Sequence, residues 1–264
     1  MVSVSSKQVR VGTMEELKSR GCIVVSGGGH AIAVFPHEKG AFAVDNRCPH
    51  MGFPLDRGTV KDGILTCHWH HARFDLCSGG TFDPFADDVA AFNVTVSKGI
   101  VWVDPSPMPI DRVEHWHSRL KVGLEDNIRL IIAKSVLGLD SAGCDYTAAL
   151  EAGSHFGMTF SNEGWGQAMS ILTCAANLLP DLDEEDRLLA MYQGLRHVAT
   201  ECAGKPPRFA VDPLPAGETR SEVFNKWFRS FVEVRNEDGA ERCLRSAIEV
   251  GLPQSDISDM VFGA

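Results

Sequence analysis

The residues best suited to chemistry are Cys48-Pro-His50 and, sixteen intervening residues later, Cys67-His-Trp-His70. Each pairs a thiol with an imidazole, and such donors bind transition metals. C-x-H and C-x-x-H spacings let both pairs project from two tight loops toward one point. Two readings of the donor set are open. Two cysteines and two histidines can hold a structural zinc ion at one tetrahedral point. Alternatively, two thiolates can hold one iron and two imidazoles a second, across a di-iron core. The segment between the pairs must leave the first loop, turn and return. Residues 58–66 (Gly-Thr-Val-Lys-Asp-Gly-Ile-Leu-Thr) fit that need, with Asp62-Gly63 as a hairpin turn between two short strands.

The flanking residues carry a family resemblance. Arg47-Cys-Pro-His-Met-Gly52 looks like the first cluster loop of a Rieske [2Fe–2S] domain. Cys67-His-Trp-His70, running on through Ala72-Arg-Phe-Asp-Leu76, resembles the second loop and the strand after it. Gly79-Gly80 and Phe82-Asp-Pro-Phe85 resemble the third, proline-containing loop that closes over the cluster. The resemblance spans roughly the first 106 residues. It implies one [2Fe–2S] cluster per chain, held by Cys48, His50, Cys67 and His70, and a function in one-electron transfer. Zinc sites more often use C-x₂₋₄-C knuckles and would give Arg73-Phe74-Asp75 no role, so zinc is the lesser reading.

Three departures from the family pattern matter. The position after the last ligand is usually glycine and here is His71, read as a flanking residue. High-potential Rieske proteins join an extra cysteine in each loop as a disulfide. The matching positions here are Phe53 and Trp69 or its neighbour His68, so no bridge can form. Those proteins also place a serine hydroxyl near the sulfide, where this chain has Ala72. Fewer hydrogen bonds leave the more negative reduced form less stabilised, so the expected potential is near the low end of the Rieske range, of order −150 mV.

The elements that must position these residues change character along the chain. Up to about residue 103 the pattern is short strands and glycine-rich turns, an all-β assembly of antiparallel sheets. Strands are expected over Gln8–Val11, Gly21–Ser26, Ala31–Phe35, Ala41–Asp45, Val89–Val96 and Ile100–Val103. Thr13-Met-Glu-Glu16 has capping-box form and starts a short helix to about Ser19. Asp104-Pro-Ser-Pro-Met-Pro109 is a semi-rigid spacer. Beyond it the period becomes 3.6. Helices are expected over Leu124–Leu137, Tyr146–Phe156, Glu163–Leu179, Asp183–Cys202, Arg220–Val234, Ala240–Val250 and Asp256–Phe262, joined as antiparallel hairpins. Lys205–Gly217 reads as a proline-rich loop. The expected organisation is multidomain: a Rieske-type β domain over 6–106, a linker over 107–111, and an all-α domain over 112–264. Ala149-Leu-Glu-Ala-Gly153 and Ala247-Ile-Glu-Val-Gly251 echo one another and hint at repeated hairpins. The chain stops without a polar helix cap, which reads as truncation of a longer helical array.

Composition limits the function classes. Hydrophobic content of 44% and charged content of 23% are those of a globular protein, without a membrane span or secretory leader. The net charge of −10 is uneven: residues 1–110 carry 10 Lys+Arg against 11 Asp+Glu, and residues 111–264 carry 15 against 24. This argues against nucleic acid and anionic membranes as partners and permits steering toward a basic redox protein. Of the eight cysteines, the six other than Cys48 and Cys67 are scattered and read as reduced thiols in a cytoplasm, with Cys77 as a packing residue.

The helical half offers fewer signals. His155, and His197 with Glu201 at i, i+4, read first as ordinary helix residues and an ion pair, and only second as catalytic or metal groups. Gly164-Trp-Gly-Gln-Ala-Met-Ser170 reads as a close helix contact, and Glu114-His-Trp-His117 as an approach to the next helix that could touch the cluster edge. The leading function is an electron carrier in an oxidoreductase system, without a catalytic site of its own. A reductase or ferredoxin is the expected partner, and the helices would dock that partner or a small-molecule substrate. The alternatives are a Rieske oxygenase-like enzyme and a redox-responsive binding protein. Rieske oxygenases resemble one another in a D-x₂-H-x₄-H pattern, which this chain lacks.

Overall fold

A computed structural model describes residues 8–161, 164–209, 211–215, 217 and 219–263. The expected β-domain start at residue 6 and helix start at Glu163 lie outside the described residues. By internal contacts the chain forms two compact units, Met1–Pro206 and Pro207–Ala264.

The first unit opens with nine strands. β1 (Val9–Thr13), β2 (Ile23–Gly27), β3 (His30–His37), β4 (Gly40–Asp45), β8 (Ala91–Ser97) and β9 (Ile100–Pro107) form a six-stranded antiparallel sheet in the order β1-β9-β8-β4-β3-β2. β5 (Thr59–Lys61), β6 (Ile64–Thr66) and β7 (Arg73–Asp75) make a second, three-stranded sheet. The alternation of side chains along a strand explains how the larger sheet serves two cores. On β3, Ile32 and Val34 pack with Leu17, Val101 and Val103, while Ala33 and Phe35 pack with Leu55, Leu65, Phe74 and Leu76 of the small sheet and its loops. Burial of each such side chain favours folding by about 1.5–3 kcal/mol.

Helix α1 (Met14–Arg20) forms as its capping box requires: Thr13 Oγ1 accepts from Glu16 N at 3.1 Å, and Glu16 Oε2 accepts from Thr13 N at 2.8 Å. The Asp62-Gly63 hairpin also forms, with both residues at positive φ (53° and 80°) as a type I′ turn needs. The prolines expected to act as a spacer partly continue the sheet. β9 extends through Pro107, which sits opposite Phe92, and Met108 N donates to Ala91 O. Proline lacks only its own N–H, so a strand end accommodates it.

The helical half departs from expectation at its start. One helix over Leu124–Leu137 was expected, but two are present: α2 (Arg112–Glu125) and α3 (Arg129–Ser141). Asn127, at φ 52°, turns the chain between them. The Glu114–His117 stretch is therefore helix rather than an approach to one, started by Asp111, whose carboxylate accepts from Val113 N and Glu114 N. α4 (Tyr146–Phe160), α5 (Gln167–Leu178) and α6 (Glu184–Cys202) follow and enclose a core of Leu120, Ile132, Phe156, Leu172, Leu195 and Val198. Close packing runs through Gly153, Gly157 and Gly194, where an added Cβ would strike Leu195, Met169 and Leu172.

The second unit holds α7 (Ser221–Glu233), α8 (Glu237–Glu249) and α9 (Gln254–Phe262) around Phe224, Cys243, Ala247 and Met260. The described residues of 205–217 form no helix or strand. The pentapeptide echo has no structural counterpart: Gly153 lies inside α4, whereas Gly251 ends α8 at φ 76°. Among the described residues, no helix is long and apolar enough to cross a membrane.

Candidate metal centre

The two Cys/His loops are built on one plan. In the first, Cys48 N donates to Phe53 O at 2.8 Å and Gly52 N to Cys48 O at 2.7 Å. In the second, Cys67 N donates to Ala72 O at 2.8 Å and His71 N to Cys67 O at 3.0 Å. Each cysteine thus starts a tight turn whose fifth residue has positive φ, Gly52 at 84° and His71 at 60°. This gives His71 a reason for its place: it occupies the turn position where glycine is at ease. The small sheet fixes the second loop between β6 and β7, and an Arg47–Pro54 bridge closes the first.

These turns bring Cys48, His50, Cys67 and His70 together. Both cysteines are buried, at 2% and 1% exposure, and Cys67 is near enough to Cys48 to help raise its thiol. The His50 and His70 rings meet edge to face, centroids 4.6 Å apart. Burial pushes the Cys48 thiol up to about 11, while the backbone at His50 and Met51 bonds to its sulfur and favours the thiolate. Burial, then the neighbouring His70 and Lys134, lower the His50 imidazole, favouring the neutral form that binds metals. His50 is half-buried and His70 exposed.

Residues of the third loop complete the surround. Gly79, at φ 81°, approaches Val89 O so closely that an added Cβ would lie 1.9 Å from it. Asp83 receives a bidentate bond from Arg73, at 3.1 and 2.7 Å, and accepts from Arg73 N, which holds its carboxyl below the ordinary range. Phe85 packs edge-on to His50, centroids 5.1 Å apart. Phe53 and Trp69, where a disulfide would join the loops of high-potential relatives, face each other at 6.0 Å instead.

The donor set passes a chemical test of fit. His50 Nδ1 is buried without a hydrogen-bond partner, although buried polar atoms are normally paired. Two buried thiols beside two imidazoles supply what a di-iron core needs, two donors at each iron. Among the described residues, no three His, Cys, Asp or Glu side chains are grouped so as to hold one metal ion.

Other candidates lie elsewhere. His155 is exposed. The expected His197–Glu201 ion pair is replaced: Glu201 Oε2 accepts from Ala168 N at 2.9 Å, satisfying a free N–H in the first turn of α5. Cys77, expected to pack, is exposed. Three residues at the loops escaped notice in the sequence. Arg119 of α2 donates to the carbonyls of Pro84 and Ala86, and Lys134 of α3 donates to the carbonyl of Pro49. Asp87 accepts from His115 Nε2 at 3.0 Å and lies 3.5 Å from Arg119 Nε. No short-range pattern marks them, because their partners lie 28 to 85 residues away.

Residues 7–93 match the Rieske [2Fe-2S] domain family. The ferredoxin component of the p-cumate 2,3-dioxygenase system of Pseudomonas putida is 32% identical over 84 residues, covering 31% of this chain and 71% of that protein. Human apoptosis-inducing factor 3 is 37% identical over 65 residues; the match covers 24% of this chain but only 11% of that relative's length. Among solved structures, the ferredoxin of carbazole 1,9a-dioxygenase from Nocardioides aromaticivorans IC177 covers 38% of this chain and 100% of its own, at 28% identity and TM-score 0.36. With the family match over residues 7–93 and a ferredoxin-component relative 32% identical and covered to 71% of its length, the chain belongs to the Rieske [2Fe–2S] family, its strands followed by a helical half.

Proposed function

We propose that this protein is a one-electron carrier within an oxidoreductase system, its cluster held by Cys48, His50, Cys67 and His70. When bound, the [2Fe–2S] cluster supplies reversible uptake of a single electron. The observation carrying this reading is the edge-to-face meeting of the His50 and His70 rings from two loops that each begin at a buried cysteine, with His50 Nδ1 buried and unpaired. The burial of both cysteines would keep water from the thiolate end. The exposed His70 ring would offer the electron a short way out of a bound cluster, while Phe85 packs against His50.

Beside His70 the Trp69 ring is 52% exposed, centroids 4.7 Å apart, an apolar surface that a protein partner could cover. A redox-protein partner such as a reductase is supported by the relative that is the ferredoxin component of a dioxygenase system. In this reading 6–106 is the electron-transfer module, 107–111 its linker, and 112–264 holds a partner or substrate. The six cysteines other than Cys48 and Cys67 form no disulfide, which supports a cytoplasmic setting.

Anaerobic reductive titration with iron analysis tests the proposal. A carrier takes up about one electron per chain with about two irons. About three irons per chain would instead favour an oxygenase-like enzyme.

A further inference from the structure

We propose that Lys134, reaching from the helical half onto the first cluster loop, raises the reduction potential of the centre in the β module. The inference rests on Cys48, His50, Cys67 and His70 being the cluster ligands. Lys134 is half-buried on α3, and its ammonium donates to the carbonyl of Pro49, the residue between Cys48 and His50. A neutral amide could make that bond at a lower cost of desolvation. Among the described residues, no carboxylate lies within ion-pair distance of Lys134. The nearby anion, Asp87, is engaged by His115 and Arg119.

The charge that Lys134 lacks is one the centre acquires. Two ferric ions, two sulfides, two thiolates and two neutral imidazoles sum to zero. One added electron converts one ferric ion to ferrous, with no bond made or broken, and leaves one negative charge. A fixed cation in a half-buried place is screened little by salt. It therefore stabilises the reduced form with small effect on the oxidised one. Asp87 acts with opposite sign.

Potentiometric titration of the intact chain, followed by EPR, provides the test. Lys134→Gln keeps a donor for Pro49 but loses the charge, and should weaken reduction about tenfold, a midpoint ~59 mV more negative. Lys134→Arg should match the parent, and Asp87→Asn should move the midpoint positive. Should Lys134→Gln fail to retain the centre, Asp87→Asn carries the test. A Rieske signal with unmoved midpoints overturns this inference alone. No Rieske signal in the parent protein overturns the ligand assignment along with it.

Discussion

His71 holds a left-handed backbone, φ 60°, that costs a residue with a Cβ about 1–2 kcal/mol. Its counterpart in the first loop, Gly52, adopts a like conformation without that cost. His71→Gly should therefore stabilise the protein by about 0.5–1 kcal/mol in chemical denaturation, the gain being reduced by glycine's freedom in the unfolded chain. His71→Val should do the reverse, because a β-branched residue fits this region worst. The four proposed ligands were legible in the sequence because their information is local: residue type, spacing and the glycine turns around them. Lys134, Arg119 and Asp87 were not, since each has its partners far away in sequence and nothing in its own neighbourhood marks it.

α2 and α3 are the elements that grip the cluster loops, and they meet through Trp116 and Gly138. A Cβ added at Gly138 would fall 2.1 Å from the Trp116 ring. Gly138→Ala should cost about 1–3 kcal/mol by overpacking, read as a lower denaturation midpoint. The His115–Asp87 bond ties α2 to the third loop and raises the His115 imidazole, chiefly through that hydrogen bond. A group raised above its unfolded value, near 6.5, contributes stability that is complete below that pH and fades as pH climbs through the folded value. His115→Gln should accordingly destabilise the protein more at pH 5.5 than at pH 8.5, as compared by urea unfolding. The strands and the α1 cap were readable because alternation and capping boxes are short-range signals. The α2–α3 break was missed because an apolar 3.6-residue period runs across Asn127, and only its backbone shows the turn. Asp111 was an available cap signal for α2, masked by the polar Glu114–His117 run that follows it.

At the scale of the whole molecule, the β module carries the metal chemistry and helices of the same compact unit reach its loops. The change from strands to helices was visible as a change of period near residue 104, whereas the compact units divide at Pro206. Charge is divided as well, with a net of −9 over residues 111–264 and −1 before them. A basic redox partner would be steered to the helical half, and its association should slow as salt rises. The loops lack the serine hydroxyl and disulfide of high-potential Rieske proteins, so the midpoint should fall of order −150 mV, Lys134 included; a value above zero would refute that expectation. The most direct test of the central claim is iron and acid-labile sulfide quantitation with EPR of the dithionite-reduced protein, alongside Cys48→Ser and His70→Ala. The account predicts about two irons and two sulfides per chain, one Rieske signal, and loss of that signal in both variants. A colourless protein holding zinc, or a signal that survives both substitutions, would contradict it.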